Sequence, residues 1–242
     1  MLGLIAGTIS IILTFVINPA LLSFVLLALV INYIYSMPPF KLSHKALLAP
    51  LVLPISYVVI PFIIGITFHK QIFTMDMFIL LLGLYVSFIG RIILKDFRDV
   101  KGDSMYGKRT FLLTYGARKT CQVAGIAWLI GDVLISSLFI RSDLLLVLLL
   151  QPFIISIVFT IYRLSLEKSM VRQLILVSLV GRLGNSVAIL ILMSFTLRLY
   201  NYSSFLSNLL FLMVAGVLVY TSYYLYVLYN RKDYVVKSQL AT

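Results

Sequence analysis

The feature that most constrains this chain is a series of apolar segments, each long enough to cross a lipid bilayer. A membrane-spanning helix needs about 20 mainly apolar residues. Hydropathy predicts eight such helices joined by short polar stretches, at 1–17, 21–37, 46–67, 73–94, 121–140, 143–164, 171–196 and 203–228. We therefore predict an all-α fold, a polytopic transmembrane helical bundle of about eight spans that forms one domain over residues 1–242.

The composition excludes the other common classes of protein. Of the 242 residues, 62% are hydrophobic and 12% are charged, whereas a soluble domain is about 25% charged. A soluble globular protein and a disordered chain are therefore excluded. The apolar runs are continuous and do not alternate with polar residues, which argues against a transmembrane β-barrel.

The basic residues are distributed unequally between the two ends of the predicted bundle. The net charge is +12, and in a membrane protein Lys and Arg concentrate in the cytoplasmic loops. Only three basic residues, Lys70, Arg141 and Arg198, fall in the loops of one end. Fifteen fall at the opposite end, which we predict to be cytoplasmic: Lys41, Lys45, Lys95, Arg98, Lys101, Lys108, Arg109, Arg118, Lys119, Arg163, Lys168, Arg172, Arg231, Lys232 and Lys237.

Three of the eight carboxylates in the chain, Asp96, Asp99 and Asp103, occur within eight residues after the fourth predicted span. On a helix these positions share one face, although Gly102 could end the helix and leave Asp103 in a loop. Clustered carboxylates and neighbouring cations suit Mg²⁺ that is shared with a diphosphate. The alternative is a solvated segment whose acids pair with nearby bases, such as Asp99 with Lys95.

A second segment of interest, Tyr35-Ser36-Met37-Pro38-Pro39-Phe40-Lys41, follows the second span on the same side. Taken alone, it indicates a helix that ends at prolines and carries an interfacial tyrosine and lysine.

Together the two segments resemble signatures of the UbiA-type intramembrane prenyltransferase superfamily. Residues Tyr35-Ser36-x-Pro38-Pro39-x-Lys41-Leu42 are similar to its Tyr-Ser-x-Pro-Pro-x-Arg-Leu-Lys signature. The acidic triplet, followed by Gly107-Lys108-Arg109-Thr110 and Tyr115-Gly116, resembles its second aspartate-rich motif. The resemblance covers roughly residues 1–196.

The chain departs from the family pattern at two places. Ser43 occupies the position of the final signature lysine, for which Lys45 is a candidate substitute. The family's first aspartate-rich motif, Asn-Asp-x-x-Asp-x-x-x-Asp, has no counterpart in the chain. We therefore expect a chain that lacks the two N-terminal helices of the family together with that motif.

The resemblance implies transfer of a prenyl group from a polyprenyl diphosphate to an acceptor, with an aromatic quinone, tocopherol or chlorophyll-type precursor favoured. It implies Mg²⁺ held by Asp96, Asp99 and Asp103 at the cytoplasmic side of the membrane, and no nucleic-acid partner. The other implied catalytic residues are Tyr35 and Lys41, and the implied substrate-binding residues are Asn32, Ser36, Lys45, Arg98, Lys101 and Lys108. The alternatives are a catalytically incompetent fragment or member of the family, and a membrane transporter subunit.

Two charged residues are predicted to lie inside the membrane. Asp132 and Arg182 fall near the middle of their spans, where an unpaired charge costs at least about 2.5 kcal/mol on insertion scales. We expect both to face the interior of the bundle or a wet cavity, in an ion pair or a polar network.

Overall fold

The computed structural model describes residues 2–141, 143–199, 209, 212–217, 219–220, 223–224 and 226–227. Two 3₁₀ turns, Pro19–Leu21 and Leu42–His44, and a π-helical turn, Ile55–Val59, interrupt a succession of α-helices. The helices are α1 (Leu2–Ile17), α2 (Leu22–Ser36), α3 (Leu48–Pro54), α4 (Ile60–Phe68), α5 (Met75–Met105), α6 (Phe111–Phe139), α7 (Leu144–Leu166) and α8 (Met170–Leu199).

The predicted all-α polytopic bundle is confirmed. Six helical segments are long and apolar enough to cross a membrane, and Ile5–Ile17 forms a shorter apolar helix before them. Half of the residues of the eighth predicted span, 203–228, lie outside the described part of the chain, so this span is not assessed as a whole. The six long segments are Pro19–Ser36, Leu48–Phe68, Met75–Met105, Phe111–Phe139, Leu144–Leu166 and Met170–Leu197.

The third predicted span is a helix that the π-helical turn Ile55–Val59 interrupts directly after Pro54. Pro54 lies at the end of α3, and the N–H of Ile55 bonds to the carbonyl of Val52. The carbonyl of Leu51 instead accepts a hydrogen bond of 2.8 Å from the Tyr85 hydroxyl of α5. This contact fits the rule that neighbouring helices satisfy the carbonyls freed by a kink inside a membrane.

The hydropathy pattern predicts a connection over residues 95–120, and this prediction is wrong because the observed connection is much shorter. Helix α5 continues to Met105, α6 begins at Phe111, and only residues 106–110 lie between them. Hydropathy detects the membrane boundary, but a helix whose backbone is already hydrogen-bonded can extend beyond that boundary into water. Within α6, Gly116 has φ of +79° and separates a first turn from the main helix.

The core of the bundle is formed by α5, α6, α7 and α8. Its fully buried side chains include Leu80, Leu94, Phe139, Ile157 and Leu190. By contrast, no described residue of α2 is buried. The first two helices therefore lie outside the four-helix core, and α2 packs mainly beside α3 and α4.

Glycines allow α5 and α6 to approach each other closely. A Cβ on Gly131 of α6 would collide with Ser87 Oγ and lie 2.8 Å from the Gly83 carbonyl oxygen of α5. A Cβ on Gly90 would lie 2.8 Å from the Ala124 carbonyl oxygen. Because lipid provides little hydrophobic drive for helix association, such close packing is a main source of stability in membranes.

Of the two predicted intramembrane charges, Asp132 takes part in a polar network. Asp132 Oδ1 accepts hydrogen bonds from Ser136 Oγ at 3.2 Å and from Gln151 Nε2 of α7 at 3.3 Å. Among the described residues, no ion pair joins Asp132 to Arg182, whose side chain is exposed. Of the two expected arrangements, the network is the one observed for Asp132.

We predict that Gly131→Ala lowers the thermal unfolding temperature, because the new methyl group forces α5 and α6 apart. The matched control is Gly125→Ala in the same helix, where no atom lies within 4 Å of an added Cβ. That control should be neutral or stabilising, since Ala favours a helix over Gly by about 1 kcal/mol. Thermal unfolding in detergent tests the prediction, and equal melting temperatures of the two variants would contradict it.

Candidate active site

The acidic triplet lines a cavity of about 320 Å³ at one end of the bundle. The walls come from the end of α2, the Leu42–His44 turn, the start of α3, the last turns of α5 and the start of α6. Asp96, Asp99 and Asp103 all contribute to it, as do Tyr35 and Ser36 from the other resemblance segment. Two segments about 60 residues apart in sequence therefore meet in one site.

The length of α5 explains the position of this cavity. Its 31 residues extend about 46 Å at 1.5 Å per residue, whereas the hydrocarbon core is about 30 Å thick. If the apolar part from Met75 to Leu94 crosses the core, the remainder from Lys95 onward projects beyond it. The carboxylates then lie where the membrane meets water.

Asp103 is the most buried acid of the triplet, with 7% of its surface exposed. Its Oδ1 is 2.7 Å from Lys108 Nζ. The intervening turn contains Gly107 at φ of +63°, and the N–H of Lys108 donates to the Asp103 carbonyl at 2.9 Å. The turn thus folds Lys108 back over the end of α5 and places a cation in the cavity.

Asp96 lies against the start of α6. Burial and the neighbouring Asp103 disfavour its charged form, and the backbone N–H groups of Phe111 and Leu112 at the N-terminus of α6 offset this only in part. Tyr35 lines the same cavity as Asp96 and Asp103. Asp99 is exposed, so the three acids range from buried to accessible along one cavity wall.

The opposite wall is formed by the chain reversal after α2. A cis peptide joins Pro38 to Pro39, and Lys41 has φ of +39°, in the left-handed region. This reversal leads into the 3₁₀ turn that contains Ser43 and His44, and both residues line the cavity. The Pro-Pro segment therefore directs the chain back toward the carboxylates.

Six of the predicted site residues line this cavity: Tyr35, Ser36, Asp96, Asp99, Asp103 and Lys108. Five others are exposed and lie outside its lining: Asn32, Lys41, Lys45, Arg98 and Lys101. The structure also adds lining residues that were not among the predicted site residues: Lys95, Ser43, His44 and Thr110.

The donors in the cavity suit a divalent cation that is shared with a ligand. Within the described ranges, no three His, Cys, Asp or Glu side chains form a ready-made metal cluster. Mg²⁺ does not require one, because it commonly binds one or two protein carboxylates and completes its shell with phosphate oxygens and waters. Asp96, Asp99 and Asp103 supply carboxylate oxygens of the kind it prefers.

A second, larger cavity of about 540 Å³ lies among α4, α5, α6 and α8. Its lining is mainly apolar and extends along α5 from Arg91 to Met77, with His69 beyond. Along α5 the linings of the two cavities come within one residue of each other, since Ile92 belongs to the acidic cavity and Arg91 to the apolar one.

Comparison with protein-family models gives one match, to the family described as the UbiA prenyltransferase family, over residues 1–173. The matched region contains both walls of the acidic cavity. Searches of curated proteins and of solved structures gave no significant match.

We predict that Lys108→Met lowers the melting temperature, because it leaves the buried Asp103 carboxylate without its cation. Arg109→Met is the matched control, since Arg109 is exposed and the same charge is removed one residue later. Thermal unfolding of both variants in detergent, without divalent ions, gives the comparison. Equal melting temperatures would show that the Asp103–Lys108 pair does not stabilise the fold.

Proposed function

Since the chain belongs to the UbiA prenyltransferase family, we propose that it transfers a prenyl group from a polyprenyl diphosphate to an acceptor, with Mg²⁺, at the cytoplasmic side of the membrane. The acceptor is proposed to be an aromatic precursor of the quinone, tocopherol or chlorophyll type. The observation that supports this most is the acidic cavity, because three carboxylates and two lysines line it together with the end of α2. The lysines are Lys95 and Lys108, and α2 contributes Tyr35 and Ser36.

The acidic cavity has the chemistry that a diphosphate requires. Mg²⁺ held by Asp96, Asp99 and Asp103 would neutralise the diphosphate and stabilise it as a leaving group. Lys95 and Lys108, which line the same cavity, would interact with the remaining phosphate oxygens. The hydroxyls of Ser36, Ser43 and Thr110 offer hydrogen bonds to those oxygens.

The reaction breaks the bond between the allylic C1 carbon and the diphosphate oxygen, and the electron pair leaves with the diphosphate. The Tyr35 ring stands at the cavity wall, where an aromatic face can stabilise the allylic cation. A carbon of the acceptor then bonds to C1 and gives up one proton to the released diphosphate. The apolar walls deeper in the bundle exclude water, which would otherwise consume the cation.

The positions of the two cavities suit both parts of the prenyl donor, its isoprenoid tail and its diphosphate head. Its isoprenoid tail partitions into apolar surroundings, and the cavity of about 540 Å³ begins close to the acidic site. Its charged head stays at the membrane edge with the projecting end of α5. The positive-inside rule puts this end of the bundle in the cytoplasm.

We predict that Asp96→Asn and Asp99→Asn each weaken Mg²⁺-dependent binding of geranylgeranyl thiolodiphosphate about tenfold or more, since charge-assisted contacts with the headgroup are lost. The control is Asp76→Asn, an exposed acid at the opposite end of α5. Equilibrium binding in proteoliposomes, with Mg²⁺ or with EDTA, gives the affinities.

The same proteoliposomes should consume geranylgeranyl diphosphate in the presence of Mg²⁺ and a panel of aromatic acceptors. Wild-type affinity in both active-site variants would contradict the metal assignment. Movement of the intact diphosphate across the membrane without its consumption would instead favour a transporter.

A further inference from the structure

The apolar cavity of about 540 Å³ extends along most of the membrane-spanning part of α5. Its lining on this helix runs from Arg91 to Met77, a path of about 21 Å at 1.5 Å per residue. The end near Arg91 adjoins the acidic cavity, and the far end is lined by His69 and Gln71, two exposed polar residues that follow α4. A molecule with its charged head in the acidic cavity can therefore place an apolar tail along this path.

The length of this path matches an isoprenoid tail of four units. An extended chain advances about 1.2 Å per backbone bond, since a residue with three such bonds spans at most about 3.6 Å. An isoprene unit adds four bonds to the chain and therefore extends about 4.8 Å. Four units extend about 19 Å, which fits within the cavity, whereas five units extend about 24 Å. The fifth unit would pass beyond the polar end formed by His69 and Gln71.

Gly65 of α4 leaves open space in the wall of this cavity. Phe62, Gly65 and His69 all line the cavity, and their spacings of three and four residues put them on one face of the helix. A Cβ built on Gly65 has no neighbouring atom within 4 Å. Gly184, another glycine of the lining, differs because a Cβ there would lie 2.8 Å from the Trp128 ring. Helix packing therefore requires glycine at position 184 and does not require it at position 65.

The backbone does not require glycine at position 65 either. Its φ is not in the left-handed region, and glycine is among the least favourable residues inside a helix. The space itself is the remaining consequence of this glycine. Gly65 precedes His69 by four residues, or about 6 Å along the helix, which is slightly more than one isoprene unit. A side chain at position 65 would therefore occupy the level of the last unit of a four-unit tail.

We propose that Gly65 determines the length of the prenyl donor and sets it at four isoprene units, because it leaves the space that the last unit fills. This assignment rests on the proposed function and specifies the chain length of its donor. A fifth unit would extend past His69 and Gln71 and expose apolar surface to water. A large side chain at position 65 would exclude the fourth unit and leave a cavity for three.

Donor analogues with three, four and five isoprene units test the assignment: farnesyl, geranylgeranyl and geranylfarnesyl thiolodiphosphate. Their Mg²⁺-dependent binding is measured in nanodiscs at equal mole fractions in the lipid, so that differences in partition into the bilayer cancel. We expect wild-type protein to bind the four-unit analogue most tightly and the five-unit analogue at least about tenfold more weakly. Gly65→Leu should weaken binding of the four-unit analogue about tenfold or more, since the leucine occupies its last position. Binding of the three-unit analogue should be retained.

Two control variants separate the loss of space from other effects of the substitution. Gly65→Ala removes the flexibility of glycine but adds only one methyl group, so it should keep the preference for four units. Gly125→Leu makes the same change on α6, at an open position that lines neither cavity, and should leave all three affinities unchanged. Melting temperatures show whether each variant is folded, and Gly65→Met is a second blocking variant if Gly65→Leu is not.

The outcomes distinguish this assignment from the function on which it rests. Equal affinities of wild-type protein for the three analogues, or tightest binding of the five-unit analogue, would overturn the proposed chain length. An unchanged length preference in the folded blocking variant would overturn the role of Gly65. In each of these cases Mg²⁺-dependent binding persists and the proposed function stands. If wild-type protein binds none of the analogues with Mg²⁺, the proposed function fails and the assignment fails with it.

Discussion

Charge at the edge of an apolar bundle is the constraint on which this structure depends. Asp96, Asp99 and Asp103 share one face of α5 and one cavity, so their negative charges repel one another unless cations lie among them. Lys108 neutralises the most buried acid, Asp103. The charge that remains makes the cavity receptive to a divalent ion and its phosphate ligand, and this links the fold to the proposed chemistry.

The sequence predicts the fold well because membrane insertion depends on local hydropathy. Each long apolar run before residue 200 is helical in the described part of the chain, since backbone polar groups in lipid must bond within their own segment. The exception is the stretch 95–120, which was predicted as a connection and is mostly helical. Its polar residues reveal where the membrane ends and carry no comparable signal for where a helix ends. Only Gly107 and Gly116, both at positive φ, mark the breaks.

The candidate site is predictable where its residues are periodic and not where distant segments meet. Spacing places the three aspartates on one face, and the resemblance adds Tyr35 and Ser36. Spacing cannot show that Lys41 lies outside the cavity lining while His44, three residues later, belongs to it, because a chain reversal at Pro38–Pro39 determines both. The larger apolar cavity is likewise lined by several helices, and no local pattern in the sequence specifies which of their residues meet there.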